Sequence, residues 1–80
     1  MPAADLLLAL HRSPFVPFRV VTSDGTTCEV RHPDLVMVGT GSAIIGYPDP
    51  SNPSLYGSYD VVALRHVIRL EPREEAAASA

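Results

Sequence analysis

Phe18-Arg19-Val20-Val21-Thr22-Ser23-Asp24-Gly25-Thr26-Thr27-Cys28-Glu29-Val30 sets two β-rich runs around Ser23-Asp24-Gly25. Asp-Gly between such runs is the strongest short-range hairpin signal a sequence offers. Two registers compete. A two-residue Asp24-Gly25 turn sets Val20 opposite Glu29 and Phe18 opposite Arg31, so neither face is apolar. A three-residue turn, with Ser23 and Asp24 right-handed and Gly25 left-handed as a G1 bulge, pairs Thr22 with Thr26, Val20 with Cys28 and Phe18 with Val30. Phe18, Val20, Cys28 and Val30 then share one face, and Arg19 stands opposite Glu29 on the other. A one-residue slip would turn every side chain to the wrong face, so the hydrophobic pattern selects the bulged turn.

Before the hairpin, Pro2 to Arg12 reads as a short helix with Leu6, Leu7 and Leu10 on one face. Asp5 suits the positive end of its dipole, and His11 with Arg12 suit the other. Pro14 stops it, and Ser13 to Phe18 runs extended because Pro14 and Pro17 bias their predecessors away from helix. Phe15 and Phe18 pin that stretch to the core. So short a helix is marginal alone and must lay its leucines on a sheet face or the open end of a barrel.

After the hairpin, His32-Pro33-Asp34 predicts a turn or a single helical turn, and Val36-Met37-Val38 a third strand. Gly39-Thr40-Gly41-Ser42 is a tight connection without the signature of a phosphate loop. Residues 43–47 make a fourth strand. Pro48 to Ser58 holds three prolines and no periodicity, which predicts a long surface loop of the kind that often carries function. A fifth strand is expected over residues 58–64, a one-turn link at Leu64-Arg65-His66, and a sixth strand over residues 67–71. Residues 72–80 read as a mobile tail.

These elements predict one mainly β domain over residues 1–71, a small, strongly bent antiparallel sheet or barrel of five or six short strands with an N-terminal helix over residues 2–12. Eighty residues suffice for one modest core. No apolar run approaches the ~20 residues that span a bilayer. Leu6 to Leu10 is too short for a secretory h-region and Asp5 precedes it, so the expected location is cytoplasmic. The lone Cys28 faces the core and reads as an inert buried thiol.

Charge weighs against a nucleic-acid partner. The six basic residues are all arginines, the net charge is −3, and no basic stripe is evident. Catalytic residue types are equally sparse. His11, His32 and His66 show no metal-ligand spacing. His32 and His66 could meet Asp34 or Asp60 around a metal, but structural histidines are the simpler reading. So small a fold also leaves little room for a pocket of ~300 Å³. The expectation is therefore no enzyme, no cofactor and no metal.

Two resemblances add to this. Pro14-Phe15-Val16-Pro17-Phe18-Arg19-Val20, Asp24-Gly25, Val30-Arg31-His32-Pro33 and Val61-Val62-Ala63-Leu64-Arg65-His66-Val67 with Leu70-Glu71 together resemble a family of short bacterial proteins, to which no activity attaches. The helix, the bent sheet and the one-turn link before the last strand are similar to an Sm-like or SH3-like small barrel. Residues 64–71 are loosely similar to the second Sm motif, with His66 in the place of its glycine. No asparagine stands near Asp34 to Val38 where Sm-like base recognition requires one. The resemblance thus implies a fold and no site.

The expected function is a non-enzymatic interaction or assembly module, acting on another protein or on itself through strand edges. Tyr47, Tyr56, Tyr59, Arg65 and Arg69 are the candidate partner contacts. Sm-like RNA binding through Arg31, Arg65 and Arg69 is the alternative, and a metal or catalytic site at His32, His66 and Asp60 the third.

Overall fold

The bulged hairpin forms as the side-chain pattern requires. In a computed structural model that describes residues 1–73, Phe18 pairs with Val30, Arg19 with Glu29 and Val20 with Cys28. The Thr22 amide donates to the Thr26 carbonyl at 3.0 Å, the Gly25 amide donates to the Thr22 carbonyl at 3.0 Å, and Gly25 sits at φ +87°. A residue with a Cβ is strained there, which is why the turn uses glycine.

The chain runs α1 (Ala3–Leu10), β1 (Phe18–Thr22), β2 (Thr27–Val30), a 3-10 turn (Pro33–Leu35), β3 (Val36–Val38), β4 (Ser42–Asp49), β5 (Asn52–Ala63), a second 3-10 turn (Leu64–His66) and β6 (Val67–Pro72). The strands form two antiparallel three-stranded sheets, in the orders β2-β1-β6 and β3-β4-β5. The domain is mainly β, and the barrel is not closed. Proline has no N–H to donate, so Pro33 interrupts the path from β2 to β3. The Leu64–His66 turn likewise parts β5 from β6.

The inward faces meet in one core of Phe18, Val20, Cys28, Val30, Ala43, Ile45, Val62, Leu64 and Val67, capped by Leu6 and Leu10 of α1. The expected helical face is corrected at Leu7, which is exposed. The seam instead runs Ala3, Leu6, Leu10 at i, i+3, i+7. The helix is also shorter than expected. It ends where the His11 amide closes the last turn on the Leu7 carbonyl. Phe15 packs beside Phe18 with ring centroids 6.1 Å apart.

The largest departure concerns residues 48–58. The expected surface loop is a β-ribbon: β4 continues to Asp49, a tight turn follows, and β5 starts at Asn52. Pairing persists because the three prolines sit where strands tolerate them. β5 is an edge strand, and the register shifts on both sides of Pro48, so bulges absorb the mismatched positions. At the turn, Asp49 accepts from the Ser51 amide and hydroxyl, and Asn52 does the same for Ser54.

The C-terminal end is also better tied than expected. Pro72 pairs with Phe18, and the Arg73 amide donates to the Pro17 carbonyl at 2.8 Å. The rest of the expected tail, residues 74–80, lies outside the described residues.

Candidate functional site

The two sheets turn very different faces to solvent. Beside the buried Val21 and the exposed Ile68, the outward side of β1, β2 and β6 carries a cross-strand ladder of opposite charges: Arg19 lies between Glu29 and Glu71 at 3.9 and 3.8 Å. Arg31 and Arg73 reach Glu29 at 3.5 and 2.6 Å, and Arg69 reaches Glu71 at 2.8 Å. Such half-exposed pairs add little stability, but they leave this face solvated and internally matched in charge.

The outer face of β3-β4-β5 is apolar. Met37 pairs with Ile44, Ile44 with Val61, and Gly46 with Tyr59, which sets Met37, Ile44, Val61 and Tyr59 side by side on one surface. Met37 is 69% and Tyr59 66% exposed. Tyr56 joins them by lying over Gly46, where a Cβ would come within 2.5 Å of its ring. An open groove of about 470 Å³ runs between Leu35 and Met37 on one side and Tyr56 and Tyr59 on the other, floored by Ile44 and Gly46. Isolated exposed apolar residues are ordinary, whereas a contiguous patch of this kind is a candidate binding surface.

A second feature lies at the open side of the sandwich, where β2 and β5 face each other unpaired. The Tyr47 hydroxyl donates to Asp60 Oδ2 at 2.7 Å, and the Cys28 thiol lies 3.7 Å from the same oxygen. Burial pushes both the thiol and the phenol pKa upward, and the carboxylate beside them pushes the same way. This mouth opens into a groove of about 340 Å³ lined by Thr22, Asp24, Cys28, Asp60 and His66 among others. The expectation that so small a fold leaves little room for a concavity of this size is therefore corrected. The two sheets fail to close, and the gap between their edges is the room.

Cys28 and His66 share the lining, yet Cys28 is only 2% exposed. A nucleophilic cysteine needs an accessible thiolate, and here burial and the Asp60 charge both favour the thiol. At the hairpin tip, hydrogen bonds from the Thr22 hydroxyl and the Thr26 amide hold the Asp24 carboxyl down to about 2.

The candidate contacts named from sequence fall on separate surfaces. Tyr56 and Tyr59 stand on the apolar face. Tyr47 points inward to Asp60 and is half-buried, Arg65 is exposed on the second 3-10 turn, and Arg69 belongs to the charged face. His32 does structural work: its Nδ1 accepts the Asp34 amide at 3.2 Å and caps the turn at Pro33. Among the described residues no group of three or more His, Cys, Asp or Glu is placed to hold a metal. No described helix is long and apolar enough to cross a membrane.

Sequence reasoning missed Met37, Ile44 and Val61 as surface residues and Gly46 as the buried seat of the Tyr56 ring, although a signal for the first three was present. Val36-Met37-Val38, Ala43-Ile44-Ile45 and Val61-Val62-Ala63-Leu64 are unbroken apolar runs. A strand with one wet face should alternate, as Phe18-Arg19-Val20 and Cys28-Glu29-Val30 do, and a continuous run is the mark of a strand covered on both sides. Comparisons with known proteins add no relative: no family model, no curated protein and no solved structure matches the chain.

Proposed function

We propose that this chain is a non-enzymatic assembly module, which associates with itself through its second sheet. One observation carries the reading: Met37, Ile44, Tyr56, Tyr59 and Val61 form a contiguous uncharged face on strands whose sequences are written as if both sides were covered. Burying such residues is worth roughly 1.5–3 kcal/mol for a fully buried large side chain, so even partial cover stabilises a complex.

Nucleic acid is the weaker alternative. Four of the six arginines (19, 31, 69 and 73) lie within ion-pair distance of Glu29 or Glu71, which reduces what is left to neutralise phosphate. The expected outcome of size-exclusion chromatography with light scattering is a mass above that of one 8.6 kDa chain, falling to one chain in Ile44→Glu. A wild-type monomer at high concentration would sink the proposal. Tight, salt-sensitive binding of a fluorescent oligonucleotide would favour the alternative.

A further inference from the structure

We infer that, independently of self-association, the gap between β2 and β5 is a peptide slot. An extended segment of a partner protein adds to the free edge of β2 as a further strand and sets a basic side chain against Asp60. β2 and β5 are edge strands of different sheets. Successive residues of an antiparallel ladder turn their backbone groups alternately toward the partner strand and away from it. The Thr22 amide donates to the Thr26 carbonyl, and the Leu64 amide to the Gly41 carbonyl. With Val21 opposite Thr27, Arg19 opposite Glu29 and Ile44 opposite Val61, that alternation turns the N–H and C=O of Thr27, Glu29 and Val61 toward the gap. Open grooves of about 340 and 500 Å³ follow it, one at Thr26 and Ala63, the other at Glu29 and Tyr47, and Asp60 lines both.

The slot selects its occupant twice. A strand lying between β2 and β5 must be free on both of its edges, and every described strand of a folded second copy already sits in a sheet. That leaves a segment with no sheet of its own, which pairs through its main chain and is chosen by its alternate side chains. Charge makes the second selection. Cys28 shares the inward face of Val20, and Asp60 pairs with Ile45 of the core, so their contact at 3.7 Å floors the slot. Asp60 Oδ2 also accepts from the Tyr47 hydroxyl, and among the described residues no cation joins these two partners. Asp24 lines the same groove, while Glu29 and Arg31, 3.5 Å apart, offset each other. A lysine or arginine on the entering strand supplies the missing positive charge. Residues 74–80 of the chain itself hold two glutamates and no basic residue, so they do not match the slot.

The probe is a fluorescein-labelled peptide, Ser-Val-Thr-Lys-Thr-Val-Ser, titrated into the full chain by anisotropy beside the same peptide with glutamate in place of lysine. The expected result is saturable binding of the lysine peptide, with the glutamate peptide at least about tenfold weaker. Asp60→Asn, whose side-chain oxygen still accepts from Tyr47, should weaken the lysine peptide by about as much. Thr27→Pro removes an N–H that faces the gap rather than β1, where an edge strand tolerates proline, so binding should be lost with the hairpin intact. Urea midpoints check that both variants fold, and the two peptides on wild type decide the question without them. Binding should also protect the Thr27 and Glu29 amides from hydrogen exchange. Equal binding of the two peptides, or binding that leaves those amides unprotected, overturns the inference, as does no binding at about millimolar peptide. Ile44→Glu should bind the lysine peptide as wild type does, which separates the slot from self-association. Loss of binding in that variant would place the site on the apolar face and overturn the slot.

Discussion

A methyl group added at Gly46 would come within 2.5 Å of the Tyr56 ring. That ring is exposed and free to swing aside, so Gly46→Ala should leave folding stability within about 0.5 kcal/mol of wild type. Self-association should nonetheless weaken, because the ring no longer lies on the face. Equal urea midpoints with the midpoint of self-association moved to higher concentration would bear this out. Cys28 and Tyr47 make a different statement. Both are neutral when protonated, and both have a folded pKa raised by burial. Below the thiol's ordinary 9.0 folded and unfolded chains are alike protonated and the contribution is whole. Above it the unfolded chain ionises first, so stability should fall with rising pH. Urea midpoints across pH 7 to about 11 would check the slope, and Cys28→Ala with Tyr47→Phe should flatten it. Asp24 has the opposite sign. Its carboxyl is held down to about 2, so its contribution is present above the ordinary carboxylate range and is lost as pH falls through that range toward 2. Asp24→Asn should shrink that acid limb in urea midpoints taken between about pH 2 and 6, while Asp49, held down by its Ser51 hydrogen bonds, keeps part of it.

The β1–β2 hairpin and the β4–β5 ribbon mark the two ends of what the sequence makes legible at the level of elements. The hairpin was readable down to its register because one glycine requirement and one apolar face, Phe18, Val20, Cys28 and Val30, agree. Gly25→Ala should cost about 1 kcal/mol or more, since φ +87° strains any Cβ, and urea denaturation would measure it. The ribbon was not readable, because its pairing rests on cross-strand geometry rather than on local pattern. Pro48, Pro50 and Pro53 punctuate the sequence like a loop, while the bulges that accommodate them arise only once β4 and β5 are side by side. Helix α1 falls between these cases. Three leucines announced an apolar face, and only the position of the sheet beneath decided that Leu6 and Leu10, not Leu7, fill it.

At the scale of the whole molecule, two three-stranded sheets face solvent with contrasting chemistry, and the contrast was latent in alternation against continuous apolar runs. The mouth between Cys28 and Asp60 was hidden, since it exists only because the sheets do not close. Salt should separate the two outer faces. Sodium chloride screens the Arg19, Glu29 and Glu71 ladder, whose pairs are individually weak, so the melting temperature should barely move. Sulfate strengthens apolar burial, so if the chain associates through its apolar face, sedimentation should show association favoured as sulfate rises. Dissociation by moderate sulfate would contradict an apolar contact. The three tyrosines carry a further consequence, because the chain has no tryptophan. All of its near-ultraviolet emission comes from Tyr47, hydrogen-bonded to a carboxylate, and from Tyr56 and Tyr59, which stand in water on the apolar face. Two of the three emitters thus sit on the face through which we propose that the chain associates. The unlabelled protein is its own optical reporter, and its emission changes with concentration only if those rings leave water.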